Sequence, residues 1–307
     1  MKEVLIIVNP ASGGGRTGRG WPQIAERLRE EGLVFDSALT ERPGEATELA
    51  RDAVREGRPV VVAAGGDGTI HEVAGGFFTG GEPNAGQSAM GIVPLGTGGD
   101  FRRTLGVPKD AAAAARILLA GRRRTVDVGR CRYRAGEGDR TEVFINIASC
   151  GLGGEVVRRV NGGMRLPTGE LTFTLAIAIS LLRWRNRRLR LTVDGAEHEV
   201  VAQQVAVANC RYYGAGLQIA PEAMPDDGLF DVVTVGDVSL VENLGLLRPL
   251  RQGSHLGMAK IGCQRGRRVE VTPVEGGPVR LDLDGEQPGI LPALFELLPG
   301  ALPLVAP

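Results

Sequence analysis

Residues 60–64, Val-Val-Val-Ala-Ala, form a short apolar run that stops at Gly65-Gly66-Asp67-Gly68-Thr69. A helical pattern follows, with Ile70, Val73 and Ala74 on one face. A buried strand that turns through glycines into a helix is the unit from which parallel α/β sheets are wound. The turn also constrains chemistry. Glycines let backbone amides approach a charged ligand, and a helix start offers unpaired N–H groups to anions. An aspartate among them would repel phosphate unless a cation or a proton donor lay between. The combination implies a metal-assisted nucleotide-phosphate site. A ligand-free turn is the alternative, because Asp-Gly is also a common turn pair.

The rest of the first 124 residues repeats the strand–helix alternation. Val4–Val8, Leu33–Leu39, Val60–Ala64 and Met90–Val93 read as strands. Trp21, Ile24, Ala25 and Leu28, then Ala46, Leu49, Ala50, Ala53 and Val54, then Ala111–Ala120 read as helices. This order predicts a doubly wound parallel sheet over residues 1–124. After Thr125 strands dominate: Val126–Tyr133, Glu142–Ala148, Leu189–Val193, Glu197–Val207, Leu229–Val235, Arg267–Val271 and Val279–Leu283, with turn pairs such as Asp194-Gly195. Residues 125–295 are therefore expected to form a mostly antiparallel β-sandwich domain with inserted helices. The apolar end of the tail 296–307 is expected to pack back on the first domain.

Charge and cysteine content exclude several classes. Thirty-six basic and thirty-six acidic residues cancel, so no global field favours nucleic acid. Cys131, Cys150, Cys210 and Cys263 are far apart and form no CxxC pair, which suggests neither zinc nor a disulfide framework. The apolar run near the N-terminus is too short for a signal peptide and no stretch of about 20 apolar residues exists. A cytoplasmic protein is expected.

Further motifs sit at strand ends. Asn9-Pro10-Ala11-Ser12-Gly13-Gly14-Gly15 follows the first strand. Gly13, Gly15 and Gly18 have dinucleotide-fold spacing, with Asp36 downstream. The glycines start too far past the strand, however, and Asp36 lies inside its own. Thr40 to Ala46, with Glu45, closes the second strand and opens a helix. Pro94-Leu95-Gly96-Thr97-Gly98-Gly99-Asp100-Phe101 is a second glycine-rich loop, which an open α/β sheet would bring to the same crevice as the first. Asn209–Asp231 contains a glycine turn and then Asp226-Asp227-Gly228. Leu281-Asp282-Leu283-Asp284-Gly285-Glu286 alternates, with Val279, Leu281 and Leu283 inward and Asp282 and Asp284 on the opposite face. A hairpin turn at Asp284-Gly285 is the plain alternative to a catalytic role. No GxxxxGK[ST] is present, so this is not a P-loop chain.

Taken in order, these blocks resemble the diacylglycerol kinase catalytic domain family, which includes bacterial lipid kinases and sphingosine kinases. GGDGT, NPxSG, the loop at 94–101, the block at 209–231 and the late DGE all correspond. The chain departs from the pattern at Glu45 for Asp, His71 and Gly99 for Asn, and Ala215 for Gly. The resemblance implies an ATP- and Mg²⁺-dependent kinase acting on diacylglycerol or a similar lipid. It implies that Asn9, Ser12, Thr40, Gly65, Gly66, Asp67, Gly68, Thr69, Glu72, Gly96 and Thr97 contact the nucleotide. Asp67, Asp100 and Glu45 would organise Mg²⁺ through water. Asp227, with the carbonyls of Met224 and Leu229, would hold a structural Mg²⁺. Glu286 would be the general base, supported by Asp284, with Asp67 the catalytic acid residue of the nucleotide half. Other acceptors (a sphingoid base, phosphatidylglycerol, NAD) and a nucleotide-binding regulator without turnover stay open.

The expected partners follow: a lipid substrate at the membrane surface, a transient contact with the inner face of the membrane, a second copy of the chain, and no nucleic acid. Trp184 among Arg183, Arg185, Arg187 and Arg188, after the apolar stretch Leu171–Leu182, is either the basic end of a core helix or a contact for anionic headgroups.

Overall fold

The computed structural model describes residues 3–136, 138–162 and 169–307. Side chains at 161 and 169–174 lie outside that description, so the apolar stretch Leu171–Leu182 is described from Leu175 onward. The chain divides into two compact units: residues up to Asp127 together with Pro299–Pro307, and Val128–Leu298. The sequence reading put these divisions at 124 and 296.

The first unit is a parallel sheet between helices. Its elements are β1 (Val4–Val8), α1 (Arg16–Glu30), β2 (Phe35–Leu39), α2 (Glu45–Arg55), β3 (Val60–Gly65) and α3 (Asp67–Gly75). A small hairpin β4 (Phe78–Thr79) and β5 (Glu82–Pro83) follows, then β6 (Ala89–Pro94), α4 (Asp100–Leu105) and α5 (Ala111–Ala120). Strand order is β2-β1-β3-β6, all parallel, and Leu304 of the tail pairs in parallel with Met90 beyond β6. Ile6, Val8, Val62 and Ala64 pack against Trp21, Ala25 and Leu28 of α1 and against Leu118 of α5. The strands read as continuous apolar runs because both faces are covered. Asp36 forms an ion pair with Arg58 at 2.9 Å, a structural use that removes the dinucleotide reading.

The second unit is an antiparallel sandwich. Its elements are β7 (Arg123–Ala135), β8 (Gly138–Phe144), β9 (Ile147–Gly151), α6 (Leu152–Asn161), α7 (Gly169–Arg183), β10 (Arg187–Val193) and β11 (Ala196–Ala202). Next come β12 (Gln204–Ala208), β13 (Tyr212–Tyr213), β14 (Leu217–Gln218), β15 (Phe230–Val235), α8 (Leu240–Gln252), β16 (Ile261–Gly266), β17 (Arg268–Pro273), β18 (Leu281–Leu283) and β19 (Ile290–Val305); the start of β7, to Asp127, and the end of β19, from Pro299, belong to the first unit. One sheet runs β16-β15-β12-β9-β18 and the facing layer β11-β10-β17-β19, with β7 and β8 paired alongside. Their inner faces share one core. At its centre Phe144 stacks on Phe230 with ring centroids 5.6 Å apart and meets Phe295 edge-on at 6.2 Å. Asp194-Gly195 turns the β10–β11 hairpin with both residues at positive φ, as the sequence reading expected.

Two expected strands are each two. Glu142–Ala148 breaks at Ile145-Asn146, because the Asp284 carboxylate draws the amides of Ile145, Asn146 and Ile147 toward itself. Glu197–Val207 breaks at Gln203, where the chain leaves one sheet for the other and the Gln203 N–H donates to Val235. Among the described residues no helix is long and apolar enough to cross a membrane.

Candidate functional site

In the first unit three loops meet where β1, β3 and β6 end. The Leu95 and Gly96 amides both donate to the Gly65 carbonyl, at 2.8 and 3.0 Å. The loops are so close that a Cβ on Gly96 would overlap the Gly66 Cα, and a Cβ on Gly66 would press on the Ser12 Oγ. Glycine is required there by packing. Gly66 precedes the first turn of α3, and Asp67 opens it. The Asp67 carboxylate accepts N–H bonds from Gly99 at 2.7 Å and Asp100 at 3.0 Å, tying the start of α3 to the start of α4. Asp100 is buried and paired with Arg103 at 2.7 Å. Burial, then the neighbouring Arg103, pull the Arg102 guanidinium below its ordinary pKa, while Asp67 and Asp100 oppose that shift.

Ser12, Gly66, Asp67 and Gly96 are thus brought together, with Thr97 exposed beside them. Other expected nucleotide contacts hold loops. The Asn9 Oδ1 accepts the Ala11 N–H at 3.0 Å. Thr40 is buried, and Thr69 is buried beneath Gly65. Glu45 accepts the amides of Glu41 (2.5 Å) and Arg42 (3.2 Å), closing the turn before α2. Glu72 accepts the Ala46 N–H at 3.3 Å. Asp67 and Asp100 offer carboxylate oxygens, the donor type magnesium takes directly or through water. Both Asp67 oxygens already accept amides and Asp100 is paired with Arg103, so these carboxylates fit the ion implied by the resemblance as acceptors for its water shell rather than as direct ligands.

The second unit carries a turn of acids. Asp284 and Gly285 have φ of 51° and 94°, and Leu283 and Glu286 exchange two backbone hydrogen bonds across them. This is a two-residue hairpin of the type that Asp-Gly favours. Three amides, Ile145, Asn146 and Ile147, donate to the Asp284 carboxylate at 2.8, 2.9 and 2.9 Å. Asn209 supports the same bend, donating from Nδ2 to the Ile145 carbonyl at 2.9 Å. Gly285 and Glu286 are exposed at the tip. The expected alternation holds, with Val279, Leu281 and Leu283 in the core and Asp282 on the opposite face, but Asp282 is buried there too. Asp282 accepts the Ser149 hydroxyl at 3.2 Å and the Gly285 N–H at 2.8 Å. Burial pushes its carboxyl up to about 7, and Asp284 and Glu286 add to the shift.

The expected structural Mg²⁺ position is differently furnished. One Asp227 oxygen accepts the Leu229 N–H at 3.1 Å, and the other is paired with the Arg265 guanidinium. Asp231, raised in pKa chiefly by burial, lies 3.7 Å from the same arginine. The cation facing Asp227 is therefore Arg265, and a metal would have to displace it; the donor set as folded does not fit that ion. Trp184 is half-buried against the sandwich core, with Arg187 over its ring at 5.7 Å.

Residues 3–131 match the family described as the diacylglycerol kinase catalytic domain, and residues 146–306 match the YegS C-terminal NAD kinase beta sandwich-like domain. A diacylglycerol kinase of Mycobacterium tuberculosis (strain ATCC 25618 / H37Rv) is 31% identical across 99% of this chain and 95% of its own length. The chain belongs to the diacylglycerol kinase family. A diacylglycerol kinase of Bacillus subtilis (strain 168) is 29% identical to this lipid kinase family member over 100% of the chain and 97% of its own length. The crystal structure of a diacylglycerol kinase from Bacillus anthracis str. Sterne shares the fold, with a TM-score of 0.72 at 23% identity, covering 100% of this chain and 97% of that one.

For a lipid kinase of this family, three features were missed by sequence reasoning. Arg103 has a local signal, since an acid and an arginine at i, i+3 on one helix pair readily. Asp282 and the clamp on residues 145–147 have none, because their partners are remote in sequence.

Proposed function

We propose that this chain transfers the γ-phosphate of ATP, with Mg²⁺, to the hydroxyl of diacylglycerol, giving phosphatidic acid. The observation that carries the reading is the clamped Asp284-Gly285 hairpin with exposed Glu286 at its end. A general base must reach the acceptor hydroxyl while its backbone stays fixed. Here the fixing is done by Asp284 and the reaching by Glu286. Glu286 takes the hydroxyl proton as the alcohol oxygen bonds to the γ-phosphorus and the bond to the β,γ-bridging oxygen breaks.

The first unit supports the other half of the reaction. The amides at the start of α3 and the Ser12 hydroxyl are donors for nucleotide phosphates. Asp67 and Asp100 would hold Mg²⁺, which relieves charge repulsion at the transferring phosphoryl group when bound. Arg102 and Arg103 add fixed positive charge beside the two acids.

The test is transfer of labelled γ-phosphate from ATP to diacylglycerol in mixed micelles, with and without a chelator, alongside sphingosine, phosphatidylglycerol and NAD. Label in phosphatidic acid that a chelator abolishes is the expected result. Label in another acceptor alone replaces the substrate. ATP binding with no transfer to any acceptor sinks the kinase reading in favour of a regulator.

A further inference from the structure

Helix α8 is firmly made and apolar on two sides. Ser239 caps it and Glu242 completes a capping box, while Gly253 ends it in the left-handed region. One side packs inward: Leu246 is buried with Val233, Val235 and Ile219 on the outer face of the five-stranded sheet. The other side has no cover among the described residues. Leu240, Val241, Leu244 and Leu247 are 49%, 79%, 75% and 44% exposed. Leu240, Leu244, Leu247 and Arg251 follow one another at i, i+4, i+7 and i+11, a single stripe flanked by Val241 and Arg248. A helix apolar all round belongs in an interior. This one has an interior on one side only.

Charge selects the occupant. The one acid of α8, Glu242, is turned to the Ser239 amide and to Lys260, which lies 2.7 Å away. The ionic groups on the free stripe are Arg248 and Arg251, both exposed, and neither pairs with a carboxylate among the described residues. Some exposed arginines do find an acid, as Arg116 with Glu31, Arg190 with Glu199 and Arg268 with Glu270. A second copy docking through the same patch would bring four guanidiniums into one interface, where the one acid of each α8 is already engaged by Lys260. Leucines flanked by uncompensated guanidiniums match an anionic lipid surface, with the side chains in the acyl boundary and the cations at phosphate level.

We propose that α8 docks this protein on anionic membranes, with Leu240, Val241, Leu244 and Leu247 inserted and Arg248 and Arg251 on the headgroups. The proposal deepens the lipid kinase reading and rests on it for its purpose, but docking is measurable without phosphate transfer.

The full chain is sedimented with vesicles of phosphatidylglycerol and phosphatidylcholine, and with phosphatidylcholine alone. Val241→Gln with Leu244→Gln should weaken binding to the anionic vesicles by roughly tenfold or more, since each change removes exposed apolar surface from the acyl boundary. Arg248→Gln with Arg251→Gln should weaken it by about tenfold at low salt and little at high salt. Both pairs are exposed, so circular dichroism should match the wild type. Transfer to short-chain diacylglycerol dispersed in detergent should also be unchanged. A wild-type chain that ignores anionic vesicles, or double variants that bind them as well as the wild type, overturns the proposal. A wild-type dimer in the ultracentrifuge that the apolar double variant dissociates, with vesicle binding intact, assigns the face to a second copy and overturns it too. Vesicle binding without transfer to any lipid sinks the kinase reading and leaves the docking result standing.

Discussion

Both units use an aspartate to clamp a backbone loop, but they clamp it in opposite electrical surroundings. Asp67 ties Gly99 and Asp100 at the starts of two helices, with Arg102 and Arg103 beside it. Asp284 ties residues 145–147 within a stretch of six residues that also holds Asp282 and Glu286. Helix starts and arginines favour an anion, whereas a crowd of acids favours a group that takes up a proton. On the proposed reading, the same clamp serves binding in one unit and deprotonation in the other.

The largest test of that contrast is Glu286→Gln. It should lower kcat on the order of 10³-fold, the range for loss of a general base, with ATP affinity and folding unchanged. A variant that turns over at the wild-type rate removes Glu286 from the base role. Next is Asp284→Ala, which leaves three amides without their acceptor. It should cost about 3 kcal/mol in urea unfolding and lower activity with it. Full activity at wild-type stability would show that the clamp matters to neither. Gly96→Ala forces the β6 loop off Gly66 and should cost about 2 kcal/mol, raising KM for ATP more than it lowers kcat. An effect on kcat alone would shift that loop from binding to chemistry.

The smallest effect is the pH dependence at Asp282. Its folded carboxyl is held at about 7 by burial, aided by Asp284 and Glu286. An unfolded aspartate titrates near 4. Between those values the folded chain keeps a proton that the unfolded chain has lost. Stability therefore falls as pH rises from about 4 to about 7 and stays lower above. Asp282→Asn keeps an acceptor for Gly285 and a donor for Ser149. It should be on the order of 1–2 kcal/mol more stable than the wild type near pH 8 and equal to it near pH 4. Parallel stability curves for the two chains would refute the assignment.

What was legible in the sequence was local. Gly65–Thr69 announced a strand–helix turn, and both Asp-Gly hairpins were readable from two residues. What was hidden depends on distant partners. Nothing near Ile145 reveals that Asp284 will take its amide, so one strand was expected where there are two. The alternation around Asp282 was legible, but its burial was not, because Ser149, which meets it on the far face of β18, is remote in sequence. Arg265 and Asp227 are likewise far apart in sequence, so a metal was expected where a guanidinium stands. Helix α8 gave no warning either, since an apolar helix exposed on one side has the composition of one buried on both.

The pairing of Leu304 with Met90 carries a consequence for the order of synthesis. The sheet of the first unit stays open at β6 until the ribosome has also translated the whole sandwich. During that interval a hydrophobic strand edge is bare. The sandwich, by contrast, is contained in one continuous stretch. Every residue of the second unit is thus synthesised before the first unit has its last strand.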